Sequence, residues 1–200
     1  HAKETGLPIP TNPILFMKAT SSISGAHDDI IRPRHASQID WEVELGVVIG
    51  KPAKYISEDK ALEYVAGYCV VNDLSERHFQ LQLSGQWTKG KSFDGFGPVG
   101  PYLLTRDQLA DPQDLNMSVT VNGTIMQCGN SRDMIFSVRQ IIAHLSELMT
   151  LYPGDIIATG TPAGVGMGQK PVPQYLRDGD EIVTTISGLG SQRQLVVAEN

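Results

Sequence analysis

A chain of 200 residues with 40% hydrophobic and 19% charged side chains is expected to form one globular domain with a core of its own. The formal net charge of −6 argues against binding to nucleic acid or to an anionic membrane, because either partner normally requires a basic patch, so a small molecule is the expected partner. The apolar runs fall short of the ~20 residues of a membrane span and no charged-then-apolar leader opens the sequence, which predicts a cytoplasmic protein.

The first half of the chain predicts strands that carry or end in acidic residues. Residues 1–40 mix Gly, Pro, Ser and Asp with short apolar pieces, which indicates loops around one or two strands. In residues 41–49 every odd position is apolar while the even face begins with two glutamates, and this alternation predicts a strand. A short helix is expected at 57–63, then a buried strand at 65–71 that ends at an Asn-Asp pair, then a helix over about 74–83.

The second half predicts one hairpin, one long helix and three further strands. Asn122-Gly123 suits the two positive φ angles of a type I′ turn, so residues 117–127 predict a hairpin. Residues 134–149 predict a helix because apolar positions recur at helical spacing, which leaves His144 on the solvated side. Further strands are expected at 155–159, 181–187 and 192–198. Together these elements predict a β-rich α+β fold without an internal repeat.

Glu42 and Glu44 are the first candidates for chemistry. Because they are two apart on a strand, their side chains leave the same face within a few ångström of each other. Two carboxylates in that position repel, and a hard cation that prefers oxygen ligands is the simplest compensation. The alternative is that the pair lies on a solvent-facing polar side of a sheet.

Asp73 could supply a third oxygen ligand because it ends the second buried strand. The spacing between Asp73 and Glu76 also suits an aspartate version of a helix capping box, and a carboxylate has enough lone pairs for both roles. Lys91 lies in a glycine-rich stretch, residues 89–98, that is predicted to be a loop and would suit the grip of a carboxylate or an enolate. The alternative for Lys91 is a solvated surface lysine.

Other patterns in the sequence favour no further site. Cys69 and Cys128 form no CxxC spacing and predict buried or idle free thiols. The glycines of residues 160–168 run into Pro171 rather than into a helix or a Gly-Lys-Ser/Thr, so they predict loop shaping near a site and not a nucleotide loop. The histidines show no HxH or HExxH spacing, which argues against zinc or non-haem iron.

Several ordered motifs make the sequence resemble the fumarylacetoacetate hydrolase family over nearly the whole chain. The motifs are DWEVELGVV at 40–48, GYCVVND at 67–73, KGKSFD at 89–94 and GDIIATGTP at 154–162. The resemblance implies a mixed β-sandwich roll of the family's C-terminal type, with residues 1–200 as one catalytic domain. It also implies a Mg²⁺ or Mn²⁺ site made by Glu42, Glu44 and Asp73, with Lys91 in contact with substrate. Further residues that would line the substrate pocket are Arg77, Gln80 and Thr161.

The resemblance also assigns a role to the start of the chain. His1-Ala2-Lys3-Glu4 is similar to the HxxE of the family's mobile lid, so residues 1–8 are expected to be a mobile lid. In that lid His1 would deprotonate the attacking water and Glu4 would orient the imidazole. Relatives carry a further N-terminal segment before this histidine, which is absent from this chain, and they are usually homodimers.

The implied activity is C–C bond hydrolysis of a small 2,4-dioxo acid, an acylpyruvate or a diketo-deoxy sugar acid, to give pyruvate and a second carboxylic acid. FMKATSS at 16–22 and GVGMGQKP at 164–171 look closest to hydrolases of 2,4-diketo-3-deoxy sugar acids. The alternative is a decarboxylase, isomerase or tautomerase of a 2-oxo dicarboxylic acid that uses the same metal site and an enolate but no attacking water. A third alternative is a non-catalytic domain whose acidic pair binds a structural cation.

Overall fold

The computed structural model describes residues 4, 6 and 8–199, and within them the chain forms twelve strands and two short α-helices. The helices are α1 (Thr88–Lys91) and α2 (Val138–Leu148), and a π-helical turn spans His78–Gln82. Four 3₁₀ turns lie at Thr20–Ser22, Glu58–Tyr64, Ser131–Asp133 and Gly166–Gly168. The strands are β1 (Ile23–Gly25), β2 (Ile30–Arg32), β3 (Ile39–Asp40), β4 (Val43–Ile49), β5 (Val65–Asn72), β6 (Ser75–Glu76), β7 (Gly97–Thr105), β8 (Asn116–Val121), β9 (Thr124–Asn130), β10 (Ile156–Ala158), β11 (Glu181–Ile186) and β12 (Gly190–Ala198).

Two five-stranded sheets pack against each other, and their facing side chains form the core. The first sheet has the order β1-β7-β5-β4-β10 and the second has the order β2-β12-β11-β8-β9. The predicted alternation along residues 41–49 is observed, because all five odd-numbered side chains are buried in this core. The same period of two places Glu42 and Glu44 on the other face of β4.

The hairpin and the long helix also match their predictions. Asn122 and Gly123 have φ angles of 50° and 77°, and they join β8 to β9 in an antiparallel pair. Helix α2 begins after Ser137, whose hydroxyl accepts from the backbone of Gln140 while the Gln140 side chain accepts from the backbone of Ser137. This capping box fixes the start of the helix four residues later than the apolar pattern indicates.

The predicted helix over 74–83 is wrong for its first half. Ser75–Glu76 instead pairs with Ile39–Asp40 in a two-stranded ladder, and only His78–Gln82 is helical. The carboxylate of Glu76 accepts from the backbone amides of residues 37, 38 and 79, so this side chain fastens two distant segments together. Tertiary hydrogen bonds therefore outweigh the local helical pattern.

The stretch around Lys91 also differs from its prediction, because it forms α1 rather than a loop. Gly90 allows this helix to pack tightly on the π-helical turn. A Cβ at Gly90 would lie 2.4 Å from the Glu76 carbonyl oxygen and 2.5 Å from the Gln80 nitrogen, which no side chain could tolerate. The close packing directs Lys91 into the protein interior. Among the described residues, no helix is long and apolar enough to cross a membrane.

Candidate functional site

The structure brings Glu42, Glu44 and Asp73 together in the protein interior. Strands β4 and β5 are antiparallel, and the Asp73 amide donates to the Glu42 carbonyl oxygen, so the start of one strand lies beside the end of the other. Each of the three carboxylates offers one oxygen, and these oxygens lie within 4.8 Å of one another. The side chains are buried, so the alternative of a solvent-facing polar face is wrong.

Lys91 is not a surface lysine, because only 2% of it is exposed. Its ammonium donates to Glu42 Oε2 at 2.8 Å, to Asp73 Oδ2 at 2.6 Å and to Ser75 Oγ at 2.7 Å. Burial would lower the pKa of Lys91, but the charges of Asp73 and Glu42 outweigh it and raise the pKa. An ammonium has three N–H donors, so the protein engages all of them in this geometry.

A second ammonium, that of Lys18, reaches the same cluster. Lys18 Nζ lies 2.5 Å from Asp73 Oδ1 and 3.4 Å from the carbonyl oxygen of Leu74. Burial lowers the pKa of Lys18 more than the Asp73 carboxylate raises it. Asp73 therefore has one lysine on each oxygen, and it does not cap the helical turn that follows. The capping role considered for Asp73 is thus not observed.

The two glutamates are in opposite electrostatic situations. Burial would raise the pKa of Glu42, but Lys91 and Arg77 outweigh it and lower the pKa to about 2. Burial also raises the pKa of Glu44, and there the negative charges of Asp73 and Glu42 add to the effect, so the pKa lies well above its usual value. Glu42 is therefore held in its anionic form, whereas the surroundings of Glu44 favour binding of a proton or a cation to its carboxylate.

The donor set fits a hard divalent cation. The ionic network of the described residues has four carboxylates and three cationic side chains, so it carries one uncompensated negative charge when all are ionised; its members are Asp40, Glu42, Glu44, Asp73, Lys18, Arg77 and Lys91. Carboxylate oxygens are the ligands that Mg²⁺ and Mn²⁺ prefer. Glu44 is the carboxylate that gains most from a bound cation, because the negative charges of Asp73 and Glu42 lie close to it.

Arg77 and Gln80, which the resemblance places at the substrate, lie in the interior behind the acidic cluster. The guanidinium donates to Asp40 Oδ2 at 2.8 Å, to Glu42 Oε1 at 2.7 Å and to Gln80 Oε1 at 2.9 Å. The charges of Glu42 and Asp40 outweigh burial and raise the pKa of Arg77. Both residues are buried, and Arg77 donates directly to the Glu42 carboxylate. Their contact with substrate stays a prediction.

Asp40 links that arginine to the glycine-rich loop. Its carboxylate accepts from the backbone amides of Trp41, Gly166 and Met167 at 2.6–3.0 Å as well as from Arg77. The loop containing Gly166 and Met167 is therefore fastened to the side chain that holds Glu42. This agrees with the interpretation of the glycines as residues that shape a loop near a site.

Of the two lid residues, Glu4 is described and His1 lies outside the described residues. Glu4 Oε2 accepts from the Gly164 amide at 2.8 Å, which places this carboxylate on the glycine-rich loop. Gly164 has a φ of 106°, and a Cβ there would lie 2.1 Å from the Met126 carbonyl oxygen, so only glycine fits. The predicted roles of His1 and Glu4, and the lid motion of residues 1–8, stay predictions.

Thr161 uses its hydroxyl within the protein. The hydroxyl donates to the Val43 carbonyl oxygen at 2.9 Å and accepts from Gln127 Nε2 at 2.8 Å. The neighbouring Gly160 amide donates to Glu44 Oε2 at 2.7 Å. The GDIIATGTP motif therefore supports the glutamate pair from the side opposite to β5, and the substrate contact of Thr161 stays a prediction.

No role was predicted from the sequence for several residues that contact the site or its backbone. Among them are Lys18, Asp40, Ser75 and Gln127. Lys18 and Asp40 lie within motifs that carry the family resemblance, and a charged residue directly beside an apolar run was the available signal. Gln127 lies in the predicted hairpin, whose pattern contains nothing that points to the distant acidic pair.

Comparisons with known proteins identify the family of the chain. The family profile of the fumarylacetoacetate (FAA) hydrolase C-terminal region matches residues 1–197. A 2,4-didehydro-3-deoxy-L-rhamnonate hydrolase from Sphingomonas sp. (strain SKA58) is 56% identical over 196 residues, which cover 98% of this chain and 69% of the relative.

Two solved structures extend the comparison to the fold. Fumarylacetoacetate hydrolase from the psychrophilic Exiguobacterium antarcticum superposes with a TM-score of 0.89 at 44% identity, covering 93% of this chain and 66% of that one. The 5-carboxymethyl-2-hydroxymuconate delta-isomerase from Mycobacterium smegmatis gives a TM-score of 0.87 at 34% identity, covering 100% of this chain and 75% of that one. The predicted fold class is confirmed, and the chain belongs to the fumarylacetoacetate hydrolase family of enzymes.

Proposed function

We propose that this protein is a Mg²⁺- or Mn²⁺-dependent hydrolase that cleaves a C–C bond in a small 2,4-dioxo acid and releases pyruvate and a second carboxylic acid. The observation that carries the proposal is the buried group of three carboxylates, Glu42, Glu44 and Asp73, flanked by two ammonium groups. The similarity to a 2,4-didehydro-3-deoxy-L-rhamnonate hydrolase favours diketo-deoxy sugar acids over other acylpyruvates as the substrate class.

In this mechanism the three carboxylates would hold the cation, which when bound supplies Lewis-acid polarisation and a template for the 2-oxo acid. Lys91 places a buried positive charge beside Glu42 and Asp73 and thereby stabilises negative charge that develops on a substrate oxygen. Its three N–H groups all have protein acceptors, so donation to substrate requires it to give up one of these bonds.

Hydrolysis requires a base that removes a proton from the attacking water. His1 would take a proton from water, whose oxygen adds to the C4 carbonyl carbon. The C3–C4 bond then breaks, its electron pair forms the pyruvate enolate, and C3 receives the proton that His1 took from water. Glu4 would orient the imidazole of His1. The Glu4 carboxylate accepts a hydrogen bond from the Gly164 amide, which fixes it to the glycine-rich loop and supports this role.

The second candidate function is isomerisation or decarboxylation of a 2-oxo dicarboxylic acid. It is favoured by the similarity over the whole chain to the 5-carboxymethyl-2-hydroxymuconate delta-isomerase from Mycobacterium smegmatis. Such a reaction also passes through an enolate, so Lys91 and the carboxylates would have the same tasks. It differs in needing no attacking water, and therefore no base of the kind assigned to His1.

A substrate panel tests the proposal. The protein would be incubated with acylpyruvates, diketo-deoxy sugar acids, oxaloacetate and 5-carboxymethyl-2-hydroxymuconate, each with Mg²⁺, Mn²⁺ or EDTA. We expect equal amounts of pyruvate and a second acid from a 2,4-dioxo acid, and loss of the reaction in EDTA. If only the muconate or oxaloacetate were converted, the function would be isomerisation or decarboxylation rather than hydrolysis. Turnover that is unchanged in EDTA would contradict metal dependence in either case.

The metal site can be tested without turnover by substituting Glu44. In wild type, Mn²⁺ at 100 times its Kd should raise the free energy of unfolding by about 2.7 kcal/mol. Glu44→Gln keeps the size of the side chain but removes a ligand charge, so this stabilisation should largely disappear. Glu63→Gln, a matched change at an exposed glutamate, should retain it. Equal stabilisation of wild type and Glu44→Gln would show that the cation binds elsewhere.

We further propose a homodimer, as the family resemblance predicts. Ile14 and Leu15 are exposed apolar side chains beside a groove that Gly85, Gln86 and Trp87 also line, and a second subunit would cover them. Light scattering coupled to size-exclusion chromatography would give twice the chain mass for a dimer. A mass of one chain at micromolar concentration would contradict it.

A further inference from the structure

The peptide units on either side of Val43, between Glu42 and Glu44, lie beyond the point where β10 stops pairing with β4. Strand β10 pairs with β4 only from Ala158, opposite Gly46, to Ile156, opposite Val48. Beyond that point Thr159 and Thr161 donate their hydroxyls to the carbonyl oxygens of Leu45 and Val43, each at 2.9 Å. Side chains therefore replace the missing strand, and they do so along the segment that carries Glu42 and Glu44.

Gln127 completes this replacement from the second sheet. Its Oε1 accepts from the Val43 amide at 3.0 Å, and its Nε2 donates to Thr161 Oγ1 at 2.8 Å and to the Pro162 carbonyl oxygen at 2.9 Å. Because Thr161 in turn donates to the Val43 carbonyl oxygen, the three residues close a ring of hydrogen bonds. The Gln127 side chain is fully buried, so each of these bonds would be costly to lose.

A β-bulge brings Gln127 into this position. The pairing of β8 with β9 shifts between Val119 and Thr120, which leaves Met126 as the extra residue beside Gln127. Bulges redirect side chains and are frequent next to active sites. Met126 also lies against Gly164, so the bulge contacts the glycine-rich loop as well.

We propose that Gln127 is a positioning residue, which acts with Thr161 to hold the Val43 peptide and so sets the separation of the Glu42 and Glu44 carboxylates for the cation. The inference rests on the proposed metal-dependent function. Neither Gln127 nor Thr161 would need to touch the metal or the substrate for this role. Partners that orient ligand residues in this way typically account for about 10–100-fold in metal affinity.

The test measures Mn²⁺ affinity by isothermal titration calorimetry, together with the thermal midpoint of each metal-free variant. Gln127→Met keeps the length of the side chain but removes all three hydrogen bonds, and it should weaken Mn²⁺ binding by about 10–100-fold. Thr161→Val should act in the same direction. Thr161→Ser, which retains the hydroxyl, should bind Mn²⁺ within about threefold of wild type.

A matched control separates positioning from a merely structural role. Gln113 also bonds to backbone atoms, but those of other segments, because it accepts from the Val138 amide at the start of α2 and donates to the Ser131 carbonyl oxygen. Gln113→Met should lower the thermal midpoint without changing Mn²⁺ affinity.

Wild-type Mn²⁺ affinity in both Gln127→Met and Thr161→Val would overturn this inference but leave the proposed metal site standing. Equal losses of Mn²⁺ affinity in Thr161→Ser and Thr161→Val would do the same. If Gln127→Met does not fold, the comparison of Thr161→Val with Thr161→Ser decides. Failure of wild type to bind Mn²⁺ would overturn the proposed metal site together with the inference.

Discussion

Replacing Lys91 by methionine should lower kcat/KM by about 10²–10³-fold, the usual effect of removing one donor that stabilises negative charge in a transition state. The ammonium is buried and contacts both Glu42 and Asp73, so the substitution removes a positive charge that lies directly beside two of the proposed metal ligands. Metal affinity should hold or rise, because the substitution makes the acidic cluster more negative. Steady-state kinetics with the substrate found in the panel and Mn²⁺ titrations check the two halves of this prediction.

Lys89→Met is the matched control for that substitution. Lys89 lies two residues away on the same helix, but its ammonium contacts Ser84 and the Leu83 carbonyl oxygen at the surface. This variant should keep wild-type kinetics. Unchanged kcat/KM in Lys91→Met would mean that the buried lysine only neutralises carboxylates. Loss of metal binding in Lys91→Met would instead mean that the lysine organises the ligands.

Arg77→Met should lower the free energy of unfolding by roughly 3–5 kcal/mol, because it leaves buried carboxylates without their partner. The guanidinium holds Asp40 and Glu42 at 2.8 and 2.7 Å, and both carboxylates are in the interior. Urea unfolding at neutral pH, with the metal removed, measures this difference directly. Added Mn²⁺ should restore part of the loss, since a cation at the cluster compensates the charge of Glu42.

Arg32→Met provides the comparison for Arg77→Met. Arg32 also forms a two-bond pair with a carboxylate, that of Asp178, at 2.7 and 2.8 Å, but both side chains are partly exposed. Exposed pairs contribute little to stability because solvent screens them, so this variant should unfold close to wild type. Similar losses in the two variants would contradict the idea that burial makes the Arg77 network costly to break.

The sequence predicts those features of the acidic centre whose geometry is local. Alternation along β4 determines that Glu42 and Glu44 share a face, and the end of an apolar run places Asp73 after β5. The same holds for the Asn122-Gly123 turn, whose conformation depends on two residues only. For such features a short window of sequence contains all the physics that decides the structure.

The surroundings of the site could not be predicted in this way because their partners are distant along the chain. Glu76 fails to continue a helix because it binds backbone amides of residues 37 and 38. Lys91 is buried because Gly90 lets a short helix approach another turn closely. Lys18 and Gln127 reach the acidic cluster or its backbone from 55 and 84 positions away. These contacts exist only once the sheets have assembled.

In the proposed metal-dependent enzyme, the two lysines that flank Asp73 would separate folding from metal acquisition. Lys18 and Lys91 serve as built-in counter-ions, so the chain can bring its buried carboxylates together before any divalent ion arrives. Proteins whose ligands have no such substitutes, zinc fingers among them, stay unfolded until the metal binds. If the protein is metal-dependent as proposed, the ion would enter a finished scaffold, exchange with a competing ion or leave, while the fold persists. Metal supply would then control how much of the protein is active, rather than how much of it survives.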